Sequence, residues 1–292
     1  MEWEGREESE NVEDRRSMAP RAAAIGGGSV VVMVLAYLVA NFLGVDPQKI
    51  MDMAGQNQPQ AEQREIRPGP ASPAEERNAH FSKIIMKDTE TVWTELFSKM
   101  GRTYVKPPLV LFTGVVDSAC GQAEAAVGPF YCPGDEKVYI DLSFYNELEQ
   151  KLHSPGDFAK AYVIAHEIGH HVQKQLGFSK IVDDVRRKGD KQESLQYSVR
   201  LELQADFLAG VFGHYASAEF KNYVQPGDVE SAMNAAKQIG DDSLQKQFSG
   251  RVRPDTFTHG TSAQRQKWFM RGYKTGDLRE ARQLFDLRYE EL

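Results

Sequence analysis

The sequence predicts a helix-rich α+β domain preceded by one transmembrane helix. Apolar residues recur at three- and four-residue intervals between residues 158 and 175, which indicates an amphipathic helix. Two short apolar and aromatic runs, at 109–112 and 137–141, indicate strands. Residues 22–45 carry no charged side chain. This segment is long enough to cross a bilayer as a helix, which takes roughly 20 residues.

Composition divides the chain before the globular domain into three segments. Residues 1–21 are dense in charge and poor in apolar side chains, which predicts a flexible N-terminal segment. Residues 22–45 are predicted to be an uncleaved anchor, with a cleaved signal peptide or a buried core helix as alternatives. Residues 46–79 are rich in Gln, Pro, Ala and Glu, which predicts an extended, mobile linker. The globular domain is then expected to occupy residues 80–292.

Basic residues on either side of the apolar segment predict its orientation. Arg15, Arg16 and Arg21 precede the segment, whereas Lys49 stands alone just after it. Because Lys and Arg favour the cytoplasmic side, the N-terminus is expected in the cytoplasm. A single-pass cell-membrane protein with an extracytoplasmic domain follows, and that domain is periplasmic if there are two membranes.

The globular part is predicted to contain helices on both sides of a cysteine-containing loop. The first helix, 81–100, ends at Gly101, and the strands 109–112 and 137–141 flank the loop. The helix 158–175 begins after a Ser-Pro-Gly-Asp sequence and ends at Gly177. The helices predicted after it are one around Glu202 and Asp206, and those at 229–239, 262–273 and 278–287.

Cys120 and Cys132 are the only cysteines in the chain. An oxidising compartment would let them form a disulfide, whereas two unpaired thiols are the alternative. Neither cysteine has a neighbouring pair of metal ligands, so the sequence does not predict a second zinc site here.

The predicted helix 158–175 carries the motif H-E-x-x-H, formed by His166, Glu167 and His170. Residues four apart lie on one helical face, so the two imidazoles can bind one zinc ion. Glu167 follows the first histidine and is placed to take a proton from a zinc-bound water. This motif is typical of zinc-dependent peptidases, although an amphipathic helix with two unrelated histidines is the alternative.

Glu202 and Asp206 are candidates for completing the zinc site. A catalytic zinc usually has three protein ligands and a water, and Glu202 could be the third ligand. Asp206 lies four residues later on the same face and could fix the tautomer of a ligand histidine. A solvated pair of carboxylates is the alternative. His259 precedes a predicted helix and is a candidate donor to the oxyanion of the reaction, with fixing of its own loop as the alternative.

Several longer stretches resemble the bacterial neutral zinc metallopeptidase family of the YpfJ type. They are AYVIAHEIGHHVQ at 161–173, RLELQAD at 200–206, GREESENVEDRR at 5–16, GPFYCP at 128–133 and THGTS at 258–262. The resemblance covers nearly the whole chain. It implies a zincin fold with glutamate as the third ligand, in which a small antiparallel sheet lies over the active-site helix. It also implies that an edge strand of this sheet pairs with an extended substrate.

These features predict a membrane-anchored zinc endopeptidase that acts on a protein or peptide substrate. A tethered peptide-binding or quality-control module without turnover is one alternative, and a zinc amidase acting on cell-envelope peptides is another. The formal net charge of −7 argues against general nucleic-acid binding. The sequence does not indicate an oligomeric state.

Overall fold

Long helices form most of the structure, a computed structural model that describes residues 1–17, 71–124, 128–150, 152–220, 223–249 and 252–292. In chain order the helices are α1 (Pro73–Lys99), α2 (Ser143–Gln150), α3 (Asp157–Leu176), α4 (Phe178–Lys188), α5 (Lys191–Glu219), α6 (Asp228–Gln238), α7 (Asp241–Ser249), α8 (Ser262–Thr275) and α9 (Gln283–Asp286). Three short 3₁₀ helices at Pro254–Thr256, Leu278–Arg282 and Tyr289–Glu291 also belong to the described part of the chain. The helix-rich α+β prediction is confirmed, and α5 is central because α3, α4 and α8 all contact it.

The strands form one mixed sheet and one hairpin. The sheet has the order β1 (Val12–Asp14), β2 (Leu109–Phe112), β6 (Lys137–Asp141) and β5 (Phe130–Cys132), and the hairpin joins β3 (Val115–Ser118) to β4 (Gly121–Glu124). β2 runs parallel to both β1 and β6, whereas β5 is antiparallel to β6. The predicted purely antiparallel sheet is therefore wrong. The physical reason is that long connections, one of which contains α1, return the chain in the same direction.

Residues 1–17 belong to the globular domain, so the predicted separation of a flexible N-terminal segment is wrong. Trp3 is only 2% exposed, and its indole N–H donates to Asp157 Oδ2 at 2.7 Å. Arg6 Nη2 donates to the buried Asp88 carboxylate at 2.6 Å. Arg6 and Glu13 contribute to the charge that suggested a solvated segment, but they pair with Asp88 and Lys137 of the domain. Composition cannot reveal such partners.

The predicted linker also ends earlier than expected, because α1 begins at Pro73 rather than near residue 80. Ser72 caps this helix by accepting a hydrogen bond from the backbone N–H of Glu75 at 3.2 Å. Proline in the first turn is compatible with a helix, since its missing N–H has no partner there. The proline-rich composition therefore concealed a helix start.

No helix in the described ranges is long and apolar enough to cross a membrane. The predicted span at 22–45 lies outside those ranges, as do residues 46–70 of the predicted linker. The pairing of β1 with β2 contradicts the predicted single-pass arrangement. One crossing between these strands would place them on opposite sides of a bilayer, whereas they share hydrogen bonds. Within the described ranges the fold class is helix-rich α+β, none of whose helices could span a membrane, and the compartment stays a prediction.

Candidate metal centre

The crossing of α3 and α5 creates the site. Gly169 on α3 allows this crossing, since a Cβ at that position would lie 3.0 Å from the carbonyl oxygen and 3.1 Å from the Cα of Ala205. The close approach places His166 and His170 on α3 opposite Glu202 on α5.

His166, His170 and Glu202 offer ligand atoms that all lie within 4.8 Å of one another. His166 Nε2 lies 3.3 Å from Glu202 Oε2, and His170 Nε2 lies 3.6 Å from Glu202 Oε1. The structure therefore brings together the three residues predicted from the sequence. Two imidazole nitrogens and one carboxylate oxygen are a donor set that fits zinc and leaves a fourth position for water or substrate.

Both histidines are oriented through their second ring nitrogen. His166 Nδ1 donates to Asp206 Oδ1 at 2.9 Å, and His170 Nδ1 donates to Gln173 Oε1 at 2.9 Å. Each Nε2 is then free to accept a metal ion. The contact predicted for Asp206 is present. Gln173 was not singled out, although its position three residues after His170 places it on the same face of α3.

Electrostatic interactions hold the carboxylates of the site in the ionised form. Burial favours neutral Glu202, but the neighbouring His170 and His166 lower its pKa well below the usual value. Burial likewise opposes ionisation of Asp206, yet Arg265 and His166 lower its pKa to about 2. Burial disfavours charged His166, but the Asp206 carboxylate raises its pKa to about 10. An ionised Glu202 can serve as an oxygen ligand to a divalent cation.

Glu167 sits beside the three ligands and is only 9% exposed. Burial raises its pKa above the usual glutamate value, and the charges of His166 and His170 partly oppose this effect. A backbone contact from Tyr131 on β5 also opposes the rise in the Glu167 pKa. Glu167 is therefore held next to the site, with a pKa moved toward the range that favours proton transfer near neutral pH.

The same edge strand is tied to α3 by His171. His171 Nε2 lies 2.6 Å from the carbonyl oxygen of Val105, and its Nδ1 lies 3.0 Å from the Tyr131 hydroxyl. β5 pairs with β6 on one side only, and its other edge faces the helix that carries Glu167. The strand order thus identifies the sheet edge beside the site, which the sequence alone left open.

His259 lies in a loop fixed by Asp241. The Asp241 Oδ2 atom accepts backbone N–H bonds from Thr258 and His259, each at 2.7 Å, and from Gly260 at 3.1 Å. Asp241 Oδ1 lies 3.1 Å from His259 Nδ1. Burial favours the neutral form of His259, but Asp241 and the nearby Glu202 raise its pKa. The Glu202 carboxylate of the metal-ligand cluster is thus close enough to raise the pKa of His259. The sequence did not predict the contact of Asp241 with this loop.

The predicted pairing of Cys120 with Cys132 is present, with the two Cα atoms 5.8 Å apart. This disulfide joins the turn between β3 and β4 to the last residue of β5. The hairpin is therefore attached covalently to the strand whose Tyr131 contacts Glu167.

The H-E-x-x-H helix, the opposing glutamate and the buried general-base candidate define a zinc-metallopeptidase type of site. Residues 1–283 match the family described as "Putative neutral zinc metallopeptidase", and the chain belongs to this family. It is 46% identical over 284 residues to the uncharacterized protein YpfJ of Escherichia coli K12, covering 95% of this chain and 96% of that one.

More distant relatives occur in mycobacteria. The chain is 38% identical over 254 residues to the uncharacterized protein Rv2575 of Mycobacterium tuberculosis H37Rv, covering 82% of each chain. The uncharacterized protein Mb2605 of Mycobacterium bovis shows the same identity and coverage. No solved structure matches the chain.

Proposed function

We propose that this protein is a zinc-dependent endopeptidase. The observation that carries the proposal is the convergence of His166, His170 and Glu202 next to a buried carboxylate, Glu167. The three ligand side chains would hold zinc through Nε2, Nε2 and a carboxylate oxygen. When bound, zinc supplies a Lewis acid that polarises a carbonyl and lowers the pKa of a coordinated water.

Glu167 is the proposed general base. It takes a proton from the water that attacks the scissile carbonyl and then gives this proton to the leaving amine. Its raised pKa supports both steps, because a carboxylate of ordinary acidity returns a proton readily but takes one up poorly near neutral pH.

His259 is the proposed donor to the carbonyl oxygen as that atom gains negative charge. The bonds to Asp241 hold the imidazole in place and favour its protonated form. If His259 only fixed its loop, replacing it by glutamine would impair folding rather than turnover of the folded protein.

The outer edge of β5, which is not paired with β6, is the proposed binding site for the substrate backbone. An extended peptide can add to an exposed strand edge through its main-chain N–H and C=O groups. β5 lies at the edge of the sheet, and its Tyr131 reaches the Glu167 carboxylate. A strand edge accepts a peptide that continues in both directions, which supports cleavage within a chain.

The test is cleavage of a diverse peptide library by the zinc-loaded full chain and by its Glu167→Gln variant. General acid–base catalysis is worth about 100- to 10 000-fold, so the variant should retain zinc and lose activity by roughly that factor. Glu95→Gln on the exposed side of α1 is the matched control and should cleave like the parent protein.

Equal cleavage by the parent and the zinc-bound Glu167→Gln variant would contradict the assignment of the general base. A parent protein that binds library peptides without cutting them, and a variant that binds them equally well, would favour a peptide-binding module. Cleavage confined to cell-wall stem peptides would favour the amidase.

A further inference from the structure

We propose that Arg265 is a positioning residue of the metal centre, which acts by fixing Asp206 and, through it, the imidazole of His166. The inference rests on the metal site of the proposed function and does not depend on which bond the protein cleaves. Arg265 lies on α8, far from the H-E-x-x-H motif in sequence, and no sequence pattern pointed to it.

The guanidinium group of Arg265 binds both oxygens of Asp206. Its Nε donates to Oδ2 at 2.8 Å, and its Nη2 donates to Oδ1 at 2.9 Å. Two parallel N–H contacts of this kind set the plane of a carboxylate as well as its position. Asp206 Oδ1 also accepts from His166 Nδ1 at 2.9 Å and from the Tyr162 hydroxyl at 2.5 Å. The arginine therefore determines where the acceptor of the ligand histidine lies.

Arg265 is itself immobilised by the elements around it. Its Nη1 donates to the carbonyl oxygen of Ile239 at 3.1 Å, and its Nη2 lies 3.2 Å from the Tyr162 hydroxyl. The Arg265 side chain is 2% exposed and that of Asp206 is 0% exposed. A buried ion pair contributes little net stability compared with apolar packing, so this pair is better explained by the geometry that it imposes.

The close approach of α8 to α5 explains how the Arg265 side chain comes to be buried beside Asp206. A Cβ at Gly210 on α5 would lie 2.1 Å from Phe269 O, and one at Gly272 on α8 would lie 2.0 Å from Phe207 O. The two backbones therefore touch at glycines on both helices. Asp206 lies about one turn before Gly210, and Arg265 lies about two turns before Gly272. This crossing brings the two charged side chains together.

The experiment compares metal binding by the full chain and by Arg265→Met and Arg265→Lys. Zinc affinity is measured by competition with a chromophoric chelator, and the absorption spectrum of the cobalt(II) form reports ligand geometry. Loss of an outer partner of a ligand costs about 10- to 100-fold in metal affinity, so Arg265→Met should weaken zinc binding by at least about tenfold. The zinc affinity of Arg265→Lys should lie between those of the parent and Arg265→Met. Lysine keeps the charge, but its ammonium group cannot make the paired planar contact.

Arg6→Met is the matched control, because Arg6 also donates to a buried carboxylate, that of Asp88, away from the metal site. This control should lower the free energy of unfolding but leave zinc affinity and the cobalt spectrum unchanged. Parental zinc affinity and an unaltered spectrum in folded Arg265→Met would overturn the inference. If Arg265→Met does not fold, the same result for Arg265→Lys would overturn it. Failure of the parent protein to bind zinc would contradict the proposed function instead.

Discussion

The pKa of a buried side chain in this protein depends on the groups around it, as Asp88 shows away from the metal site. Asp88 is 2% exposed, and its carboxyl group accepts a hydrogen bond from Arg6. Burial raises the pKa of Asp88 from 3.8 to about 6, although Arg6 opposes the shift. Asp206 is equally buried but ends with a low pKa, because Arg265 binds both of its oxygens and His166 adds a further donor. The number and geometry of the hydrogen-bond donors therefore decide whether the pKa of a buried carboxyl group is raised or lowered.

The raised pKa of Asp88 predicts that stability falls as pH rises. Between pH 4 and 6 the folded state keeps a proton that the unfolded chain has lost, so the free energy of unfolding decreases with increasing pH. The shift corresponds to about 3 kcal/mol between these limits. Asp88→Asn should remove this part of the pH dependence, measured by urea unfolding from pH 4 to 7.5. Asp183→Asn on the exposed face of α4 is the control, and parallel curves for the parent and Asp88→Asn would contradict the prediction.

At the scale of elements, the site depends on helices that approach each other more closely than side chains normally allow. Gly169 permits the α3–α5 crossing, and Gly210 with Gly272 permits the α5–α8 crossing. The first crossing assembles the three ligand residues, and the second brings Arg265 to Asp206. Helix propensity alone would favour alanine at these positions, so the glycines are explained by backbone contact.

Gly272→Ala should destabilise the protein strongly, because its Cβ would lie 2.0 Å from the backbone oxygen of Phe207. Overpacking of this kind costs about 1–3 kcal/mol, and a clash with backbone belongs at the upper end. Gly213→Ala is the matched control on α5, where the nearest atom belongs to the Tyr273 ring at 3.2 Å and can shift. Thermal unfolding of both variants checks the prediction, and equal loss of stability would refute it.

At the scale of the whole molecule, the N-terminal residues pack against parts of the domain that are distant in sequence. β1 is an outer strand of the sheet, and Trp3 packs edge-on against Phe81 of α1 at a ring distance of 5.2 Å. The family match begins at residue 1, which agrees with a segment that belongs to the domain. Residues 1–17 therefore belong to the same domain as the residues from Ala71 onward.

Removal of residues 1–17 should destabilise the domain. Loss of the buried Trp3 side chain alone costs about 3–5 kcal/mol, and β2 would also lose a hydrogen-bonded neighbour. Chemical denaturation of the full chain and the shortened protein gives the measurement. Trp3→Ala in the full chain should reproduce much of the loss. Equal midpoints for the full and shortened chains would show that the segment does not contribute to the fold.

The sequence by itself determined the local parts of this protein. Helix periodicity and end signals predicted 158–175 and 262–273, close to the observed α3 and α8. The four-residue spacing placed His166 with His170, and Glu202 with Asp206, on single faces. Residues outside such patterns, including those of α2, α4 and α7, were not predicted as helices. Patterns of this kind depend on a few neighbouring residues, so they can be read without knowing the fold.

Only the tertiary structure decided which distant residues meet. Arg265 contacts Asp206 across 59 positions of sequence, and Asp241 holds His259 across 18. The parallel pairing of β1 with β2 and the edge position of β5 likewise depend on how the chain returns. Charge suggested a solvated N-terminal segment at residues 1–17, because composition records residue types and not their partners. Long-range packing supplied those partners, and it turned a predicted appendage into part of the domain.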